Sequence, residues 1–235
     1  MSEWRIPLRG DTSDLAALVE DLVEPGLSVR RDDCGFHIAS DLFDVLDDAK
    51  AVKDVGDELI ARLNGITRVT LQSRRPLEGS GVARMRADGK LDQWVFPEPA
   101  VAYVRVGRAT LLVNGVSANA GRRSRAQRWM AIAATDDGAA RVLRLLGDEL
   151  DWIAVYKIVE IVMAGCHGDE GVAARGWASK AQLRLLKHTA NSVGALGDDA
   201  RHGTDSSIPP RSPMPLGTAR SLARGLAEKW LDSLS

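Results

Sequence analysis

The spacing of the apolar residues changes along this chain, and that change limits the folds open to it. In residues 66–113 apolar residues alternate with polar ones, and the dipeptides Asp88-Gly89 and Gly107-Arg108 separate pairs of such runs. This pattern predicts β-hairpins, because glycine readily adopts the positive φ of a tight turn. In residues 136–235 apolar residues instead recur every three or four positions, which is typical of amphipathic helices.

The chain is therefore predicted to be an α+β protein. An N-terminal antiparallel sheet with one or two helices is followed by a C-terminal all-helical bundle. Strands are predicted at residues 4–8, 27–31 and 35–39, from residue 66, and as the hairpin pairs 82–87 with 91–96 and 101–106 with 109–113. Helices are predicted at residues 13–23 and 41–63. Asn64-Gly65 is taken as the end of the second helix, because glycine commonly follows a helix.

Four further helices are predicted in the bundle, at about residues 137–146, 150–163, 179–191 and 215–234. Asp136 and Asp137 lie at the start of the first of them and are suited to cap its N-terminus. Ser179 and Gln182 have the spacing of a capping box at the start of the third. Pro215 is acceptable at the start of the last, because the first N–H groups of a helix have no partner within it.

The predicted domains are an α+β domain at 1–115, an arginine-rich linker at 116–135 and the helical bundle at 136–235.

Acidic residues dominate residues 1–60, which carry a net charge of −9, and basic residues dominate residues 61–135, which carry a net charge of +9. Four arginines crowd into the linker: Arg122, Arg123, Arg125 and Arg128. They could bind nucleic-acid phosphates, or they could belong to a solvated linker or a first helical turn.

Composition favours a cytoplasmic protein. The two cysteines, Cys34 and Cys166, are far apart and have no metal-binding spacing, which fits a reducing compartment. No secretory signal and no apolar run long enough to span a bilayer is apparent, so no membrane partner is expected. His37 is expected to be a packed or edge residue of a strand. Cys166 and His167 could pair as nucleophile and base, but the flanking glycines favour a loop.

Candidate functional residues concentrate in the helical bundle. Arg184, His188 and Asn191 are spaced to share one face of a helix that also carries Lys187, and Arg201-His202 follows after a break rich in glycine and aspartate. Arginine can hold a phosphate or an oxyanion, and a histidine beside an arginine tends to stay neutral and able to act as a base.

A second group interrupts the apolar helix at 150–163. Tyr156, Lys157 and Glu160 are spaced so that Glu160 can reach either neighbour. A structural Lys157–Glu160 ion pair is one interpretation, and a substrate-binding role is the other. In the same way, Arg201 could pair with Asp198 or Asp199 and merely fix a loop.

The segments Ala190-Asn191 and Ala200-Arg201-His202-Gly203 resemble the arginine–histidine motif of HEPN domains, here spread apart by residues 192–199. HEPN domains are small helical bundles of bacterial toxins and phage-defence proteins, and many are dimeric ribonucleases that need no metal. The resemblance implies an RNA-cleaving site without metal or cofactor and a homodimer formed through the bundle. His202 would be the base toward a ribose 2′-hydroxyl, Arg201 would steady the phosphate and Asn191 would position it.

Two main hypotheses follow from these residues. In the first, the chain is a toxin-type or phage-defence effector that cuts or binds RNA, with Arg201, His202, Asn191 and His188 as catalytic candidates. Its substrate-binding candidates are Arg184, Lys187, Lys157, Glu160 and Tyr156. In the second, the chain is a non-catalytic interaction or ligand-sensing module whose polar cluster is structural. A third is a small-molecule enzyme with its cleft between the domains.

Overall fold

The computed structural model describes residues 4–23, 26–86, 88–96, 124–201 and 208–234. Over these residues the chain is an α+β protein, with an antiparallel sheet and two helices followed by a helical region, as the sequence predicts. The second predicted hairpin, at 101–113, lies outside the described residues, as do Arg122 and Arg123 of the predicted linker.

The strands form one antiparallel sheet in the order β2-β3-β1-β5-β6, and β4 also pairs with β1. Their bounds are β1 Trp4–Arg9, β2 Leu27–Asp32, β3 Gly35–Ser40, β4 Glu78–Gly79, β5 Val82–Met85 and β6 Leu91–Trp94. The predicted pairing of the second and third strands is confirmed, with Val29 opposite Ile38. The predicted hairpin around Asp88-Gly89 is confirmed as well, with Ala83 opposite Gln93.

Two helices belong to this half, and the prediction of the second was wrong at both ends. Helix α1 spans Thr12–Asp21, and helix α2 spans Ala49–Thr70. Before α2 comes only a 3₁₀ turn at Asp41–Phe43, and Asp48 caps α2 by accepting from the N–H groups of Lys50 and Ala51. The helix then continues through Asn64-Gly65 and includes residues 66–70, for which a strand was predicted.

Close packing of two helices explains why α2 does not end at Asn64-Gly65. Helix α4, Asp137–Gly147, lies against α2, and a β-carbon at Gly65 would overlap the carbonyl of Leu143. Reciprocally, a β-carbon at Gly147 would lie 2.9 Å from the carbonyl oxygen of Ala61. Gly65 therefore serves contact between helix backbones. Packing overrides the weak local preference of glycine for helix ends.

Besides α4, three helices agree closely with the predicted bundle: α5 Trp152–Gly165, α7 Lys180–Asn191 and α9 Leu216–Ser233. The other helices are α3 Arg125–Ala133, α6 Asp169–Ala174 and α8 Val193–Leu196. The capping box of Ser179 and Gln182 is present at the start of α7, and Asp136 caps α4. Helices α6 and α8 were not predicted, because six and four residues are too few to show a helical period.

Helix α3 occupies part of the range predicted as a linker. Ser124 and Gln127 form a capping box at its start, and the Ser124 hydroxyl donates to the carbonyl of Asp21 at the end of α1. The Arg125 guanidinium binds the carboxylates of Asp232 and Glu228 on α9. Arg125 thus joins two helices, while the predicted division of the chain into domains stays a prediction.

One cluster of buried apolar side chains connects the sheet to the bundle. It includes Ile6 and Ile38 of the sheet, Ile66 of α2, Leu143 of α4 and Ile158 of α5. The bundle is therefore packed directly on α2, which fixes the position of α5 and α7 with respect to the sheet.

Within the described residues, no helix is both long and apolar enough to cross a lipid bilayer.

Candidate functional site

Helix α7 presents the predicted polar stripe because its other face is anchored in the core. Leu183, Leu186 and Ala190 are fully buried. Arg184 and His188 are exposed on the other side, and Asn191, at the last position of the helix, is half-buried. The helical period of the sequence therefore predicts correctly which residues of α7 reach the surface.

Arg201 is held against α5 and α7 by three contacts. Its backbone N–H donates to the carbonyl of Ala190 at 2.8 Å. Its guanidinium carbon lies 4.2 Å from the ring centroid of Tyr156, which is a favourable cation–π distance. Its Nη2 lies 3.8 Å from Oε1 of Glu160. The structure thus brings together Tyr156, Glu160 and Arg201, three of the predicted site residues.

These contacts differ from the ion pairs considered from the sequence. Glu160 faces Arg201, and no ion pair to Lys157 occurs among the described residues, where Lys157 is exposed. Within the same ranges, Arg201 pairs with Glu160 and with neither Asp198 nor Asp199. The sequence could not show this, because α5 lies about forty residues before Arg201 and only the fold brings them together.

Two polar side-chain atoms at the end of α7 are buried without a partner in the described part of the chain. They are Oδ1 of Asn191 and Oγ of Ser192, the two residues that follow the carbonyl of Ala190. A buried polar group without a hydrogen bond costs about 1–3 kcal/mol, so each of these atoms would be stabilised by a hydrogen-bond donor. Ser192 was not among the predicted site residues, because a small hydroxyl residue just after a helix carries no strong signal in the sequence.

We name the group Tyr156, Glu160, Asn191, Ser192 and Arg201 the α5–α7 cluster. It combines a guanidinium, a carboxylate and two acceptor oxygens without described partners at one corner of the bundle. The side chains of Glu160 and Arg201 are 52% and 34% exposed, so water or a solute can reach both. Such a corner can bind a group that offers both acceptors and donors.

The other predicted residues of α7 contact different parts of the chain. The His188 Nε2 lies 2.9 Å from the carbonyl oxygen of Ile208, and the Lys187 ammonium lies 3.8 Å from the carboxylate of Asp169. Thr189, which was not predicted as a site residue, is fully buried and accepts from the N–H of Met214 at 3.0 Å. Arg184 has no ion pair or side-chain hydrogen bond within the part of the chain described.

His202 lies outside the described residues, as does Gly203. The expected roles of His202 as base and of Asn191 as the group that positions the phosphate therefore stay predictions. What the structure adds is the position of Arg201, the residue directly before His202. Its backbone is fixed by the hydrogen bond to Ala190, one residue before the end of α7.

A metal site and a nucleophilic Cys166 find little support among the described residues. No group of three or more His, Cys, Asp or Glu side chains in the described ranges is placed to hold a metal ion. Burial raises the pKa of the Cys166 thiol, while the neighbouring His167 is exposed. His37 pairs within the sheet, and burial lowers its pKa despite the nearby Asp32 carboxylate. Cys166 is thus a poor nucleophile, and His37 fits the packed role predicted for it.

Comparison with known proteins adds no family to this geometry. No protein-family model matches the chain, and neither a curated protein nor a solved structure shows significant similarity to it. Any function must therefore be argued from the residues and contacts themselves.

Proposed function

We propose that the chain is an RNA-binding effector of the toxin or phage-defence type, which cleaves RNA without a metal at Arg201 and His202. The observation that carries the proposal is the fixed position of Arg201, whose backbone N–H donates to Ala190 and whose guanidinium lies over the Tyr156 ring. The resemblance of this segment to the HEPN motif supports the same assignment.

The contacts of Arg201 suit it to hold a phosphate. The Tyr156 ring supports the guanidinium from one side and leaves its N–H groups available to a ligand. The Glu160 carboxylate, at 3.8 Å and half exposed, is a weak partner, because exposed ion pairs contribute at most about 1 kcal/mol. A phosphodiester can therefore replace it with a bidentate contact.

In the proposed reaction His202 acts as a general base. It takes the proton of a ribose 2′-hydroxyl, whose oxygen attacks the adjacent phosphorus and forms a 2′,3′-cyclic phosphate. The bond to the 5′ oxygen breaks, and that oxygen takes a proton from water. Arg201 stabilises the charge that develops on the phosphoryl oxygens, and Asn191 donates from its amide nitrogen to position the same group.

A cleavage assay on single-stranded RNA in EDTA tests the proposal. We expect wild-type protein to produce cyclic-phosphate ends, His202→Ala to abolish cleavage, and Arg201→Gln to lower it at least tenfold. Arg175→Gln is the matched control, because Arg175 is an exposed arginine stacked on Trp177 outside the cluster. Wild-type protein that leaves RNA intact, or His202→Ala that cuts as fast as wild type, would refute the assignment.

A second candidate, a non-catalytic interaction module, is favoured by a different observation. Three successive residues of α7 hold the segment that follows it: His188 contacts Ile208, Thr189 accepts from Met214, and Ala190 accepts from Arg201. In this case the polar residues stabilise the bundle, and a second copy of the chain is the proposed partner.

The two candidates predict different results for one variant. If the cluster is structural, wild-type protein and Asn191→Ala should both leave RNA intact. If it is catalytic, wild-type protein should cleave RNA and the variant should cleave it more slowly. In either case the loss of the unpartnered Oδ1 should leave the melting temperature unchanged or raised. Light scattering coupled to gel filtration measures the dimer that both candidates allow.

A further inference from the structure

A second concentration of arginines lies elsewhere in the bundle and shares no residue with the α5–α7 cluster. A hollow of about 330 Å³ opens where the end of α2, the loop between α4 and α5, and the start of α9 meet. We call it the three-arginine hollow. Its lining residues are Arg68, Glu149, Leu150, Arg220 and Arg224.

One of the three arginines is held in place by the backbone. The Nε of Arg220 donates to the carbonyl of Leu150 at 2.6 Å, and its Nη2 lies 3.6 Å from Oε1 of Glu149. A guanidinium has five N–H donors, so most of those of Arg220 remain available. The hydrogen bond to Leu150 orients the guanidinium of Arg220 before any ligand arrives, which lowers the entropic cost of binding.

The positive charge in the hollow is poorly neutralised. Among the described residues, Glu149 is the one carboxylate that lines it, and its side chain is 88% exposed. Arg68 and Arg224 have no ion pair or side-chain hydrogen bond in the described part of the chain. Arg125 shows the contrast, because it binds two carboxylates on α9 at once.

Helix stability does not account for this arrangement. Arg68 lies in the last turn of α2, where a cation interacts favourably with the helix dipole. Arg220 and Arg224, however, are four residues apart on α9, and like charges at that spacing destabilise a helix by a few tenths of a kcal/mol. Neither effect explains why both face the same hollow as Arg68.

We propose that the three-arginine hollow binds a small phosphate-bearing molecule, a phosphomonoester or a diphosphate. Guanidinium groups match the oxygens of a phosphoryl group with paired hydrogen bonds. The volume is at the lower end of the range for small-molecule sites, about 300–1,000 Å³. The arginines converge on one hollow from two helices, which favours a compact anion over a chain of phosphates.

Calorimetric titration of the full-length chain with sodium pyrophosphate tests this site, with sodium chloride at matched ionic strength as the blank. We expect saturable binding to wild-type protein. Arg68→Gln and Arg224→Gln should each weaken the affinity at least tenfold. Arg141→Gln is the control, because Arg141 is an exposed arginine on α4 that does not line the hollow. Circular dichroism confirms that each variant is folded.

Absence of saturable binding to wild-type protein would overturn the proposal. So would an equal loss of affinity in Arg141→Gln, because binding would then follow net charge alone. An RNA oligonucleotide that displaces pyrophosphate and binds more tightly would overturn it too, by assigning the hollow to nucleic acid. The RNA-cleavage assay separates the two sites, since Arg224→Gln should leave cleavage unchanged whether or not pyrophosphate binds.

Discussion

The contact between α2 and α4 makes a sharp prediction about glycine at position 65. An alanine in the interior of a helix is favoured over glycine by about 1 kcal/mol. At Gly65, however, the added β-carbon would overlap the carbonyl of Leu143, which belongs to the backbone of α4. The clash cannot be relieved by rotating a side chain, so the two helices must separate.

The expected magnitude follows from these two opposing effects. Overpacking a core costs about 1–3 kcal/mol, and a backbone clash belongs at or above the upper end of that range. After the gain in helix propensity is subtracted, Gly65→Ala should lower the free energy of unfolding by about 2 kcal/mol. For a chain of this length that corresponds to a melting temperature lower by about 4–8 °C.

Gly225 provides the matched control. It lies inside α9, and apart from its chain neighbours and the adjoining helix backbone no described atom lies within 4 Å of where its β-carbon would be. Gly225→Ala should therefore raise the free energy of unfolding by up to about 1 kcal/mol. Urea denaturation followed by circular dichroism measures both variants. Gly65→Ala that is as stable as wild type, or stabilised like Gly225→Ala, would refute the close contact of α2 with α4.

A double-mutant cycle excludes the explanation that Gly65 is only a turn residue. Gly147 on α4 makes the reciprocal close approach, with the carbonyl oxygen of Ala61. Once Gly65→Ala has separated the helices, adding Gly147→Ala should cost less than it does in wild-type protein. Fully additive losses would mean that the two glycines do not share one interface.

Two further predictions concern titratable groups. The hydrogen bond from Arg125 lowers the pKa of Asp232 below its ordinary value of 3.8. The resulting stabilisation is present above that value and is lost as the pH falls through the folded-state pKa. Asp232→Asn should therefore have a lower melting temperature than wild type at pH 7, and the difference should shrink at about pH 3. A difference that grows in acid would contradict this pairing. Cys34 is exposed, and Cys166 is buried with its pKa raised by burial. Native protein should thus show one thiol that reacts rapidly with Ellman's reagent, lost in Cys34→Ser, and a second that reacts only after unfolding. Rapid reaction of Cys34→Ser would show that Cys166 is accessible.

Elements with strong local signals could be predicted from the sequence. Ser179 with Gln182, Asp136 and Pro215 mark the starts of α7, α4 and α9, and each acts within one helical turn. The hairpin at Asp88-Gly89 is equally local. The extent of α2 could not be read in this way, because its last turns are stabilised by packing on α4, whose residues come some eighty positions later.

The α5–α7 cluster shows the same limit at the level of single residues. Tyr156, Glu160, Asn191 and Arg201 were identified as candidates by residue type and spacing. Their actual partners were not, because spacing placed Glu160 within reach of its own helix neighbours, and its ion pair is with Arg201 instead. Ser192 was overlooked since a small hydroxyl residue carries no strong signal until burial shows what it bonds or fails to bond.

The arginines of this chain show why partners decide between structure and function. Arg125 is held by two carboxylates more than a hundred residues away, so its charge is used within the fold. Arg201 contacts the Tyr156 ring and one exposed carboxylate, that of Glu160 at 3.8 Å, so N–H donors of its guanidinium remain for a ligand. Arg68 and Arg224 have neither kind of contact among the described residues. The sequence alone does not distinguish these four arginines. What distinguishes an arginine that joins two helices from one in a candidate anion site is whether carboxylates neutralise its guanidinium.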